Sequence, residues 1–233
     1  MKKLLLFALP IFLFACRNSH KGSGRITTET RTVSAFNAVD VANSIDVELQ
    51  QGDKNEVVVE ADDNIIQFLE TTCVDGKLTI RMKRNTNVRN ATLRVRLVSP
   101  LYKSISGAAS SEIVSRNTLT STDKINVKAS SSADITLQID APSVFVDGSS
   151  SADINITGRA KLVDANASSS TSIDLTGLKA ETVTANATSS GLLKVFASVK
   201  LDASASSSGD VKYVGGVKDI QRRESSSGSV SPE

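Results

Sequence analysis

The sequence predicts an all-β fold: a right-handed parallel β-helix, which is a solenoid of about 19 residues per coil, with irregular longer coils at its N-terminal end. Three observations lead to this prediction. A serine-rich motif recurs at a nearly constant spacing, apolar residues alternate with polar residues between its copies, and turn-forming residues close most copies.

A triple-serine motif marks each coil in the second half of the chain. It reads ASSSADI at residues 129–135 and GSSSADI at residues 148–154, and four later copies vary it. A weaker first copy, SGAASSEI, precedes them at residues 106–113. Self-similarity at such a period is typical of stacked coils. Successive triplets begin 19, 19, 20, 18 and 19 residues apart, at Ser130, Ser149, Ser168, Thr188, Ser206 and Ser225.

Strict alternation of apolar and polar residues between the triplets indicates an extended chain with one buried side and one solvent-exposed side. In one copy the apolar series runs Ile125, Val127, Ala129, and resumes at Ala133 and Ile135. If the parity holds through the triplet, its middle serine points inward, where small side chains let the backbone bend. We therefore expect an inward, hydrogen-bonded serine ladder made of Ser131, Ser150, Ser169, Ser189 and Ser207. The crossover rule predicts right-handed coils.

Two other interpretations of the triple serines fit less well. A flexible Gly/Ser linker would lack the alternating Ile and Val, and nucleophilic serines would need a nearby base. The one histidine, His20, falls outside the repeats. Cys73 is the single cysteine besides Cys16, so no internal disulfide is expected, and we interpret Cys73 as a small buried hydrophobe. We expect no catalytic residue, no metal site and no cofactor.

The N-terminal segment has the pattern of a secretory signal at residues 1–15: two lysines, then an apolar run too short to cross a bilayer. The stretch LFAC, ending at Cys16, resembles a bacterial lipobox, which implies that Cys16 is acylated. We expect residues 16–32 to form a lipidated N-terminus and flexible tether, because they are polar and contain two glycines.

Residues 33–104 are expected to form irregular, β-rich first coils that close the top of the solenoid, and residues 105–233 the regular serine-rich repeats. The segment VDVANSIDVELQ at residues 39–50 alternates apolar and polar residues like a later coil, and the small residues ANS lie in its middle. A short helical turn is expected after residue 62, capped by Asp62 or Asp63.

At this point the chain resembles a known family. The features are a phenylalanine before a hydrophobic pair (Phe36, Val39), the strand and turn at residues 45–52, VVVEA ending at residue 61, and DGKLTI at residues 75–80. These are similar to the putative auto-transporter adhesin head domain, or GIN domain. The resemblance covers roughly residues 33–230. It implies a β-helical secreted or envelope protein of Bacteroidetes-type bacteria, and it carries no catalytic residue onto this sequence.

Charge and composition limit the classes of molecule that could bind this protein. Without Lys2 and Lys3 the chain carries 25 basic and 25 acidic residues, which argues against nucleic acid. Aromatic residues make up only 4% of the chain, which weakens a stacking platform for sugars. We expect an outer-membrane lipoprotein of the cell envelope, facing the periplasm or the outside, held by its lipid. An unidentified protein or glycan is the expected partner, and stacked coils with modest caps also allow a homo-oligomer.

Three functions stay open. The first is a non-enzymatic, lipid-anchored protein with an adhesive or partner-binding role, and the second is a structural or stress-related periplasmic component. The third is a glycan-processing enzyme, for which the best constellation is an outward carboxylate pair, Asp134 and Asp153, at equivalent positions of adjacent coils. Such a pair could also bind calcium, although a solvated polar ladder explains it better.

Overall fold

Residues 19–233 are described by the computed structural model, and within them the regular structure is β-strand apart from one 3-10 helix at Ile66–Phe68. The strands are β1 (Ser19–Lys21), β2 (Ile26–Arg31), β3 (Ala38–Val41), β4 (Asp46–Gln51), β5 (Glu56–Asp62), β6 (Leu69–Val74), β7 (Lys77–Met82), β8 (Asn87–Arg89), β9 (Leu93–Ser99), β10 (Ser104–Gly107), β11 (Glu112–Ser115), β12 (Leu119–Thr120), β13 (Ile125–Ala129), β14 (Asp134–Gly148), β15 (Asp153–Ala167), β16 (Ser172–Ala187), β17 (Leu192–Ala205), β18 (Asp210–Val214), β19 (Asp219–Glu224) and β20 (Ser229–Pro232).

The strands stack as parallel coils, which confirms the predicted solenoid. In β14 and β15, Asp134 lies beside Asp153 and Gly148 beside Ala167, so neighbouring coils are offset by 19 residues. Each long strand bends once and contributes to two faces. The first face contains the segments that follow a serine triplet, such as residues 134–139, and the second face those that precede the next one, such as residues 144–148. The right-handed sense of the coil stays a prediction.

The predicted alternation is confirmed in the core between the two faces. Ile135, Leu137 and Ile139 are buried on the first face, and Val144 and Val146 are buried on the second. Parallel pairing puts like residues of successive coils next to each other, for example Ile135 beside Ile154. Each fully buried Ile, Leu or Val stabilises the fold by roughly 1.5–3 kcal/mol relative to exposure. The continuous apolar column is therefore the main source of stability.

The prediction of an inward serine ladder is wrong. Its five members, Ser131, Ser150, Ser169, Ser189 and Ser207, are all exposed. Ser131 and Ser132 have φ angles of 53° and 61°, and the N–H of Ala133 donates to the carbonyl of Ser130 at 3.2 Å. This is the pattern of a type I′ turn, with two consecutive left-handed residues. The turn pushes both serines outward, and Ala129 and Ala133 face the core on either side of it.

Hydrogen bonds between backbone groups link the turns along the solenoid axis. The N–H of Ser132 donates to the carbonyl of Ser150 in the next coil at 3.0 Å, and Ser151 bonds Ser169 in the same way. The pattern begins before the serine triplets, since the pairs Asn43/Ser44 and Ala109/Ser110 also have positive φ angles. We call this column of turns the serine corner. The ANS segment and the weak first copy are thus its first two members.

The N-terminal end is closed by a cap in which chain order and spatial order differ. Strands β7 and β9 stack on β3 and β4 from above, while β10 and β11 return to stack below them. Antiparallel strands then cover the top: β6 pairs with β7, β5 with β9, and β2 with β5. This agrees with the expectation of irregular first coils that close the stack.

Two expectations about this region are wrong. Residues 19–31 are not a free tether, because β1 pairs with β8 and β2 makes six register pairs with β5. The 3-10 helix is not capped by an aspartate, since its N-cap residue is Ile65 and no side chain bonds there. Asp62 instead is 1% exposed and accepts the N–H groups of Gly24 at 2.6 Å and Thr92 at 2.7 Å. The carboxylate therefore ties the N-terminal segment to the cap.

Replacing Ser170 with Gly is expected to stabilise the protein by about 1 kcal/mol, because Ser170 has a φ angle of 62° and a left-handed conformation costs a residue with a Cβ roughly 1–2 kcal/mol. The matched control is Ser168→Gly in the same triplet, which has no such angle and should lose stability. Urea unfolding of the two variants and the wild type measures the difference. Equal destabilisation by both glycines would contradict the assignment of the turn.

Candidate functional site

Asp134 and Asp153 are direct register partners on the first face. Both side chains are exposed, and adjacent strands of a sheet are about 4.8 Å apart. The same column continues into Ser172, Leu192 and Asp210 on the later coils. The structure thus brings the two carboxylates together as expected from the repeat.

The column of acids is longer than the sequence suggested. Glu112 lies beside Asp134, and Asp46 lies beside Glu112, so four carboxylates follow one another along the axis. We call Asp46, Glu112, Asp134 and Asp153 the acidic column. The signal that would have revealed the first two is an acid followed directly by an inward β-branched residue: Asp46–Val47 and Glu112–Ile113 repeat the pattern of Asp134–Ile135.

The acidic column borders a shallow groove of about 450 Å³ on the first face. Its walls are the side chains of the sheet itself, including Thr136, Asn155 and Asp174. Among the described residues, no member of the column takes part in an ion pair. Like charges directly opposite each other in a sheet are unfavourable by up to about 1 kcal/mol per pair. The column is therefore a strip of negative charge without ion pairs, and its one basic register partner is Arg94, beside Asp46.

Charged residues in the adjacent outward column, two residues further along each strand, are compensated. Glu48 contacts both Arg116 and Arg96, and its hydrogen bond with Arg116 lowers the pKa of its carboxyl. Further along the same column, Lys194 aligns with Asp174 but bonds Glu233 at 2.6 Å, and that contact raises the pKa of its ammonium.

A second groove, of about 400 Å³, lies where the long strands bend between the two faces. The ammonium of Lys179 lies 4.1 Å from the centre of the Phe196 ring, a cation–π distance. Arg159 bonds Asp140 of the neighbouring coil, and Lys161 completes the basic rim. This groove was not predicted, because the bend carries no repeated motif in the sequence.

The remaining predicted residues are dispersed. Cys16 lies outside the described residues. His20 is in β1 and packs on the Phe68 ring, with 4.6 Å between ring centres. Cys73 is half-buried against the core, its Sγ 3.8 Å from the carbonyl oxygen of Ala35, in agreement with a small hydrophobe.

Across residues 19–233, no three His, Cys, Asp or Glu side chains are arranged to hold a metal ion. The same residues contain no helix long and apolar enough to span a membrane.

Neutralising the acidic column is expected to leave the fold intact. Asp134→Asn with Asp153→Asn should keep or slightly raise the melting temperature at low salt, by an amount equivalent to less than about 1 kcal/mol, because repulsion is removed. Asp202→Asn is the matched control, since Asp202 pairs with Arg223 at 2.6 Å and loses a favourable contact. A large drop in melting temperature for the column variant, or loss of bound calcium, would show that the column holds a ligand.

Several solved structures are similar to this fold. The structure is similar to that of a putative adhesin from Bacteroides fragilis NCTC 9343, with a TM-score of 0.83 and 19% identity over 92% of this chain and 100% of the other. A putative adhesin from Parabacteroides distasonis ATCC 8503 has a TM-score of 0.75 and 25% identity over 93% and 100%. A putative lipid binding protein from the same organism has a TM-score of 0.73 and 21% identity, with the same coverage.

Sequence comparison leads to the family. Among curated proteins, none is significantly similar in sequence to this chain. The family model described as "Putative auto-transporter adhesin, head GIN domain" matches residues 35–216, which include the cap without β1 and β2, the serine corner without its last turn, and most of both faces. The resemblance noted in the sequence is confirmed, and the chain belongs to the putative auto-transporter adhesin, head GIN domain family.

Proposed function

We propose that the protein is a lipid-anchored, non-enzymatic component of the cell envelope that adheres to a protein or glycan partner through the side of its solenoid. Membership of an adhesin family supports a role at the envelope or cell surface. The observation that most directly supports the anchored arrangement is the position of the N-terminus, because β1 and β2 are part of the cap.

Attachment through the cap would leave both faces free. The described chain begins at Ser19, three residues after Cys16, so an acyl group on Cys16 would hold the capped end near the membrane. Several acyl chains on one residue make a durable anchor, since each buried CH₂ contributes about 0.8 kcal/mol. The faces and the C-terminal end would then be accessible to a partner.

A non-enzymatic role agrees with the shape of both faces. The carboxylates of Asp134 and Asp153 lie on a broad, open groove, whereas a glycosidase pair works in a cleft that holds the sugar and excludes water. The corners are short turns, which offer no long loops to build such a cleft. Glycan processing is therefore the weaker proposal.

Membrane fractionation tests the anchor. Cys16→Ser is expected to move the protein from the membrane fraction to the soluble fraction, because the acyl acceptor is lost. Cys73→Ser is the matched control, since Cys73 packs against the core, and it should remain with the membrane. Retention of the Cys16→Ser variant in the membrane would contradict lipid anchoring.

Protease shaving of intact cells tests the adhesive role against the structural alternative. Removal of the protein while a periplasmic control survives is the expected result, and binding assays with glycans and host proteins would follow. Protection together with the control would contradict outward adhesion. It would instead favour a structural or stress-related periplasmic component.

A further inference from the structure

The C-terminal end of the solenoid differs from the capped end, because among residues 19–233 no strand lies below its last coil. Within residues 19–233, β19 pairs with β17 and β20 pairs with β18, and neither pairs with a further strand. An uncovered end of this kind offers free backbone groups and an open core to a second copy of the chain. Natural β-proteins prevent such contacts in several ways, including charged side chains that point inward.

Two charged residues of β19 occupy positions that are apolar in every regular coil above. Arg222 lies below Ala203, in the column that contains Val127, Val146, Ala165 and Ala185. Glu224 lies below Ala205, in the column that contains Ala129, Gly148, Ala167 and Ala187. The inward apolar pattern of the repeat is therefore interrupted in the last coil, at both Arg222 and Glu224.

Each charge is held by contacts inside the last coils. The Arg222 guanidinium donates to the hydroxyl of Tyr213 and lies 5.1 Å from the centre of its ring. The Glu224 carboxylate accepts the N–H of Val230 at 2.6 Å. Tyr213 and Val230 are almost fully buried, 8% and 4% exposed, so the two charged groups cover the end of the apolar column. Both charged residues remain exposed to solvent.

We infer that Arg222 and Glu224 form a charged plug that closes the C-terminal end of the solenoid to a second copy of this chain. A further coil stacked on this end would bury both charges, and a buried charge without full compensation is strongly unfavourable. Pro232 in β20 supports the same role, because it lacks an N–H group that could pair with an added strand.

Sedimentation velocity of the purified full chain over a range of concentrations tests the plug. The wild type is expected to remain monomeric. The double variant Arg222→Ala with Glu224→Ala restores the small apolar residues of the coil above and should associate at concentrations at least tenfold lower than the wild type does. Arg223→Ala on the outward side of the same strand is the matched control and should behave as the wild type, because it removes a charge that pairs with Asp202 outside the core.

A third variant locates the contact. Ile220 precedes the plug at an inward position of β19, below Leu201. Adding Ile220→Arg to the double variant should restore the monomer if association occurs through this end. Association of the wild type through its C-terminal end, or a double variant that keeps the wild-type circular dichroism spectrum and stays monomeric, would overturn the inference. If the double variant does not fold, Glu224→Ala alone applies the same criteria.

Discussion

The rest of the structure depends on the stacked type I′ turns of the serine corner, each of which holds two consecutive residues in the left-handed conformation. A type I′ turn needs positive φ angles at two consecutive positions, and here serine occupies both in most coils. The bond from the Ser132 N–H to the Ser150 carbonyl joins each turn to the next and offsets part of that conformational cost. Because the turns of the serine corner share one geometry, successive coils leave the corner in the same register. The inward residues of both faces then align in apolar columns.

This division of roles explains which parts of the sequence repeat and which vary. The corner and the inward positions are nearly constant, while outward positions carry acids in the acidic column, basic groups around Phe196, and a mixture of charged and neutral polar residues elsewhere. A scaffold of this type can change its outward residues at little cost to the core. The adhesive role proposed above would therefore reside on the faces.

Most of the regular fold could be predicted from the sequence, because period-two alternation and a 19-residue repeat leave few alternatives. The direction of Ser131 could not, since a three-residue corner preserves the parity of Ala129 and Ala133 whether the serine lies inside or outside. The order of the strands in the cap also escaped prediction: β7 and β9 stack above β3 and β4 although they follow them in the chain. The pair Asp134 and Asp153 was found from the repeat, whereas Asp46 and Glu112 were missed in less regular copies.

Residue-resolved amide hydrogen exchange at the serine corner tests the central claim most directly. The N–H groups of the third triplet positions, Ser132, Ser151, Ser170, Ser190 and Ser208, donate to the next coil and should be strongly protected, although they lie in exposed residues. The N–H groups of the middle positions have no hydrogen bond among the described residues and should exchange quickly. Alternating protection along each triplet is the predicted result. Equal, fast exchange at both positions would contradict the stacked turns.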